Sequence, residues 1–451
     1  MLYFVLRFLM KITGNVFFRT ISIRNKELIP NKGPLMVLAN HPSTFMDPIV
    51  IATMLNRKVY FLAKGELFNS GFSKWLLPKL NMIPVYRKQD DPSQMSKNEE
   101  TFNKCYEHLE KGGAILMFPE GTSITERKLR PLKTGAARIV LGAEAKNNFK
   151  LNAKVITIGL NYANPHKFNR DLFINIENPI NVSDFKEEYS KDTFKGAESL
   201  TETIRLNLEK LIIAINDQQT DALITNIEML YKNKLSKELR ISEKDKQAEF
   251  ELTKNMIDSV NYFIETDPLR AEKMSIRINE YLNNLNRLGL NDSDLEQNRQ
   301  NKTLIRGSLK SFFTIILGFP VYVYGLINNY LPFEIPGLLT NKITKVIEYR
   351  GAIGMVLGMF TFSIFYTLQI MVVWKLTHLV WITLIYALSM PLTGFFAYWY
   401  FHTLERIRAK WILMMVFYKK STLISNLIFE RELLIAEFDK AKGEYSFKKS
   451  N

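Results

Sequence analysis

A histidine and an aspartate stand with five residues between them in NHPSTFMDP, residues 40–48. An imidazole with a carboxylate on one ring nitrogen is a general base that can take a proton from a hydroxyl or thiol. The same residues also have a plainer account, with Asp47 capping a helix and His41 an ordinary loop residue. On a continuous helix the two side chains would diverge by about 120°. They can meet only if the chain between them is a loop. Pro48 favours that, because proline suits the first helical position behind an Asp N-cap. The expected helix starts at Pro48 and leaves 41–46 as the loop, which serves the cap and the base equally.

Other residues with chemical potential follow buried runs. NMIPVYR, 81–87, puts Arg87 just after a short apolar stretch. ILMFPEGTSITERKLRPLKTGAARI, 115–139, puts Phe118-Pro119-Glu120-Gly121-Thr122 directly after another, with Arg127, Lys128 and Lys133 beyond. VITIGLNYANP, 155–165, ends a third in polar residues. Cys105 is the single cysteine, so no intrachain disulfide can form, and a cysteine metal site is not expected. The five histidines form no close ligand pair with carboxylates, so no metal is expected.

The elements that must position these residues alternate between two periods. LMVLA (35–39), VYFLA (59–63), AILMF (114–118), VITIGLNY (155–162) and LFINI (172–176) read as strands spaced by helical segments, an α/β domain with a mostly parallel sheet over 31–185. From 186 to 310 the chain turns charged and Leu- and Asn-rich, with helical spacing and no strand signal. Residues 352–374 and 379–401 each run without a formal charge and are expected to form a transmembrane hairpin, since about 20 such residues cross a bilayer. The run 311–340 holds prolines and asparagines and reads as a re-entrant or interfacial element, with a third span as the alternative. The membrane region is thus expected over 311–405, with a basic helical tail over 406–451.

Lys and Arg total 60 against 45 Asp and Glu, a formal charge of +15, which favours anionic partners: nucleic acid, an acidic membrane surface or phosphorylated substrates. With two spans in view, membrane phosphate is the simpler partner, and no nucleic-acid motif is present. Residues 1–30 open on an apolar helix whose Arg7, Lys11, Asn15 and Arg19 recur every four residues. That stripe suits an interfacial helix with its cations reaching headgroups, and packing on the protein's own core is the alternative. Arg350 before the hairpin and Arg406, Arg408 and Lys410 after it, against Lys375 alone in the gap, put the α/β domain on the cytoplasmic side.

The order of His41 and Asp47, Arg87, FPEGT and a strand leading to Pro165 resembles the glycerolipid acyltransferase family, which includes lysophosphatidate and glycerol-3-phosphate acyltransferases. The resemblance covers residues 30–180. Five residues between His and Asp, where four is commonest in the family, is similar to the branch that acts on glycerol-3-phosphate or dihydroxyacetone phosphate. The resemblance implies an acyltransferase-type mixed sheet flanked by helices, with His41 as base and Asp47 as its orienting carboxylate. The nucleophile would be the substrate's own hydroxyl. It further implies that Arg87 clamps the acceptor's phosphate, that Glu120, Gly121 and Thr122 shape the acceptor site, and that Lys133 adds charge; Arg127 and Lys128 are expected on a solvated surface. A guanidinium suits that clamp because it grips phosphate oxygens bidentately. The implied donor is an acyl thioester, acyl-CoA or acyl-carrier protein, with no cofactor. Glycerol-3-phosphate is the expected acceptor and lysophosphatidate the alternative. A non-catalytic lipid-binding membrane scaffold is the competing class.

Overall fold

The computed structural model describes residues 2–86, 96–215, 217–297, 301–419 and 421–450. It divides into two compact units, one of residues 1–214 and 338–359, the other of 215–337 and 360–451.

In the first unit eight strands form one sheet: β1 (Phe18–Arg24), β2 (Leu35–Ala39), β3 (Val59–Lys64), β4 (Met82–Val85), β5 (Ala114–Met117), β6 (Lys154–Tyr162), β7 (Arg170–Ile176) and β8 (Ile180–Asn181). Their order is β1-β7-β6-β2-β5-β3-β4, with β8 paired to the start of β6. All pairings are parallel except β6 with β7 and with β8. The mixed, mostly parallel sheet flanked by helices is as expected, and the five expected strands are all present.

Every residue of β2 is buried, as a strand covered on both faces requires. Leu35, Val37 and Ala39 point to one core, shared with Tyr3 and Phe17 of α1 (Leu2–Phe17) and Met46, Val50 and Ile51 of α2 (Met46–Met54). Met36 and Leu38 point to the other, shared with α4 (Asn98–Glu110), α5 (Gly135–Lys146) and α7 (Thr193–Leu211). α3 (Gly71–Lys79) packs beside β4, and α6 (Lys186–Lys191) leads into α7. Ile204 and Leu208 of α7 are fully in the second core, so the change of composition near 185 does not end this unit. Cys105 lies there as well, its thiol pushed up to about 12 by burial, an inert core residue.

One member of the amino-terminal stripe departs from expectation, while Lys11 and Asn15 are exposed. Arg7 turns inward and donates to the Leu55 carbonyl, while Phe4, Val5, Phe8, Ile12 and Val16 are exposed. A guanidinium satisfied by an orphaned carbonyl at the end of α2 leaves the apolar side of α1 facing outward. The helix also stops at Phe17, where the alternating FRTISIR begins β1.

The second unit begins with α8 (Gln218–Glu238), α9 (Lys246–Thr266), α10 (Pro268–Arg287) and α11 (Asp292–Gln297). Asp217, Asp245 and Asp267 cap the first three by accepting backbone N–H bonds, and Pro268 follows its cap at the first helical position. Their core includes Leu230, Ile278, Tyr281 and Leu285, closed by Leu434 of α15 (Ser421–Ser450). Buried Asp292 takes bonds from Tyr281 and Arg431.

α12 (Asn301–Ile343) is one continuous helix with Pro320, Pro332 and Pro336 inside it, where the prolines had argued for a broken element. The reason is on its neighbour α13 (Ile347–Thr377). Pro336 cannot donate to the Pro332 carbonyl, and Thr361 Oγ1 donates to it instead at 2.9 Å. Pro332 likewise leaves the Asn328 carbonyl free, and Gln369 Nε2 donates to it at 3.2 Å. Tyr366 donates to Asn329 at 2.6 Å and Tyr386, from α14 (Val380–Lys419), to Asn328 at 2.5 Å. α13 and the first 29 residues of α14, Val380–Arg408, are long and apolar enough to cross a membrane. Only His378 and Leu379 separate the two helices.

Removing the replacement donors tests this compensation. The double variant T361V/Q369L strands two carbonyls, and its unfolding free energy in detergent is expected to fall by about 1–3 kcal/mol per carbonyl. Thermal unfolding indistinguishable from wild type would show that the prolines are tolerated for another reason.

Candidate active site

β2 lies between β5 and β6 and is parallel to both, so the carboxyl ends of all three emerge on one edge of the sheet. That edge is where open α/β sheets place their ligands. NHPST follows β2, FPEGT follows β5, and Tyr162 ends β6. Asn40 locks the first of these to β6: its amide donates to Leu160 O at 3.1 Å, and its carbonyl accepts from Leu160 N at 2.7 Å.

His41 Nδ1 lies 2.8 Å from Asp47 Oδ2. Residues 41–45 form the loop this requires, but α2 starts two residues before Pro48, at Met46. Asp47 is therefore in the first turn and not the N-cap. The Met46 N–H bonds to Ser43 O and begins the helix, which frees the carboxylate from capping. Asp47 is fully buried and accepts three bonds: His41 Nδ1, Ser43 N at 2.8 Å and the Tyr162 hydroxyl at 2.8 Å. A buried carboxylate needs such partners. Because an ionised carboxylate only accepts, the proton between the two groups resides on His41 Nδ1, leaving Nε2 to take one. Burial, then the Asp47 charge, raises the Tyr162 hydroxyl well above its ordinary value, so it stays a donor.

The FPEGT segment holds the histidine from its other sides. Phe118 stacks on the imidazole with ring centroids 3.9 Å apart and planes 10° apart. Glu120 Oε1 accepts from His41 N at 2.8 Å, and Oε2 accepts from Arg130 N at 3.1 Å. Ile124 N donates to His41 O at 3.2 Å, and Ser123 Oγ accepts from Thr44 N at 2.7 Å. Thr44 has φ +27°, a strained value for a β-branched residue. Gly121 has φ +72°, and a Cβ there would stand 3.1 Å from Lys133 Cε and Nζ. Glycine at 121 thus admits both the turn and the lysine above it.

Among the expected site residues, His41, Asp47, Glu120, Gly121 and Lys133 converge on this edge, with Thr122 half-buried within the same turn. Arg87 lies outside the described residues. Among the described residues, no group of three or more His, Cys, Asp or Glu could hold a metal ion. Sequence reasoning missed Phe118 as the stacking ring, Ser43 and Tyr162 as partners of Asp47, and Arg130 as a partner of Glu120. The usable signal for Tyr162 was a hydroxyl-bearing aromatic at the end of a strand.

Residues 20–161 match the family model described as Acyltransferase. This segment is an acyltransferase-family domain. The chain is similar to glycerol-3-phosphate O-acyltransferase 1 of Saccharomyces cerevisiae, 32% identical over 31% of this chain and 18% of that one. It is also similar to a chloroplastic 1-acyl-sn-glycerol-3-phosphate acyltransferase of Brassica napus, 29% identical over 27% of this chain and 34% of that one. An uncharacterized acyltransferase of Schizosaccharomyces pombe matches 66% of this chain at 21% identity, over 55% of its own length. The matched parts therefore span from about a fifth to about half of these relatives. All of the site geometry above, apart from Tyr162 at its border, lies within the acyltransferase domain.

Glu120 supplies a pH test. Burial raises its carboxyl above the ordinary 4.5, outweighing its two backbone donors and the His41 and Arg130 charges. The folded state then holds this proton more tightly than the unfolded chain. The contribution to stability is full below the ordinary carboxylate value and is lost as pH rises through the raised one. E120Q keeps a carbonyl acceptor and cannot titrate. As pH rises above about 4.5 and through the raised value, Tm of the wild type is expected to fall relative to that of E120Q. Parallel Tm curves for the two proteins would remove Glu120 as the source.

Proposed function

We propose that the protein is a membrane-bound O-acyltransferase that moves a fatty acyl group from an acyl thioester to the hydroxyl of glycerol-3-phosphate. The observation that carries this is the 2.8 Å contact of His41 Nδ1 with a fully buried Asp47 inside an acyltransferase-family domain. As the acceptor hydroxyl attacks the thioester carbonyl, His41 Nε2 takes its proton. Asp47 keeps the imidazole in that tautomer and stabilises the imidazolium. The tetrahedral adduct then expels the thiolate, which takes the proton back from His41. The ester C–O bond forms and the C–S bond breaks, with no cofactor and no metal in the scheme.

Acyl-CoA or acyl-carrier protein is the donor class. Lys133, seated on the Gly121 turn, and Arg87 supply positive charge for the acceptor's phosphate. Glu120 acts on the site by tying the His41 backbone to that of Arg130. The five-residue spacing and the yeast relative favour glycerol-3-phosphate; the Brassica relative keeps lysophosphatidate as the second acceptor. α13 and α14 cross the membrane in this reading, and the exposed apolar side of α1 lies on its surface. The distribution of Arg350, Arg406, Arg408 and Lys375 puts the catalytic domain on the cytoplasmic face. An intact base and orienting carboxylate speak against a lipid-binding scaffold, and nucleic acid has no place in this reading.

The test is acyl transfer by the purified full chain, scanning glycerol-3-phosphate and lysophosphatidate with both donor types. H41A is expected to lower kcat by about 10²–10⁴, with D47N following it. Transfer that survives H41A unchanged would remove the base, and transfer to lysophosphatidate alone would overturn the acceptor.

A further inference from the structure

Thr125 joins the dyad loop to the head of α13. Its hydroxyl donates to Pro42 O at 2.8 Å and meets His166 Nε2 at 3.0 Å. Its N–H donates to Glu348 Oε1 at 3.1 Å. Tyr349 packs edge-on against Phe45, their centroids 5.4 Å apart. Gly351 comes so close that a Cβ would stand 2.1 Å from Pro165 O and 3.3 Å from His166 Cα. Residues 348–351 therefore form a wall beside the loop that carries His41.

Two nitrogens in this wall have no partner. Thr125 spends its hydroxyl proton on Pro42, so His166 Nε2 carries a hydrogen and Nδ1 is a bare acceptor, buried and unbonded. Burial lowers the imidazole below its ordinary value against the pull of Glu348, with the Arg350 charge lowering it further and Asp47 a smaller opposing pull, which keeps it neutral. Arg350, half-buried, has a buried Nε without a hydrogen bond, and among the described residues no carboxylate is paired with it. A guanidinium and a neutral imidazole left so, near enough for the Arg350 charge to act on the His166 ring, call for a ligand with an anion and a hydroxyl together.

We propose that Arg350 and His166 form a subsite for a glycerol phosphate group, Arg350 taking the phosphate and His166 Nδ1 accepting a neighbouring hydroxyl. The group comes either from a soluble glycerol-3-phosphate or from a glycerol-bearing lipid headgroup, since Arg350 opens a helix apolar enough to cross a membrane. The former source deepens the acyl-transfer reading and rests on it; the subsite itself does not.

Binding is measured by titration calorimetry on the full chain in neutral detergent, with glycerol-3-phosphate, inorganic phosphate and glycerol as ligands. Wild type is expected to bind glycerol-3-phosphate more tightly than either fragment. R350Q should weaken it by at least about tenfold and R350K should restore part, as loss of a charge-assisted bond requires. A parallel arm compares partition onto phosphatidylglycerol and phosphatidylcholine vesicles. A defect of R350Q confined to phosphatidylglycerol vesicles supports the headgroup as the occupant. Unaltered behaviour of R350Q in both arms, or no binding by wild type in either, overturns the subsite. Weakened glycerol-3-phosphate binding in R350Q alongside a wild type that transfers no acyl group would sink the acyl-transfer reading and leave the subsite standing.

Discussion

The carboxylate of Asp47 is the group on which the site depends. Out of water, it is tolerable only because three donors from separate places reach it: an imidazole and an N–H of its own loop, and a hydroxyl from β6. Two of these bonds fold the loop back on α2, and the third requires that β6 lie next to β2. The imidazole's orientation is thus a property of the sheet as much as of the loop. A change in strand order would leave the carboxylate short of a partner before it disturbed the histidine.

The buried strands were legible because they are apolar on both faces, and the sheet could be expected from their alternation with helices. β1 was obscured by the apolar helix before it, and β4 is four residues long at a sheet edge. The continuity of α12 was not legible either. Its prolines signal interruption locally, whereas the donors that repair the helix sit on another helix, far along the chain. In the site, the histidine, the aspartate and the FPEGT turn could be read from residue types. Tyr162 was signalled only as a hydroxyl-bearing aromatic ending a strand, and His166 not at all, since their partners are set by β6 pairing beside β2 and by the approach of the α13 head.

Glu120 shows that a motif residue can act through its neighbours. Both of its oxygens are engaged by backbone N–H groups, one of them that of His41. Phe118, two residues earlier, covers the face of the same imidazole. The motif after β5 is a clamp on the residue after β2, which accounts for the two segments being found together.

The repaired prolines of α12 bear on how the chain is made. When this helix leaves the ribosome, the acceptors at Asn328 and Pro332 have no donors, because Thr361 and Gln369 have not been synthesised. Until then only water can serve these acceptors, so α12 is left incomplete until the following segment arrives. The two helices are then completed as a pair, the later segment supplying what the earlier one lacks.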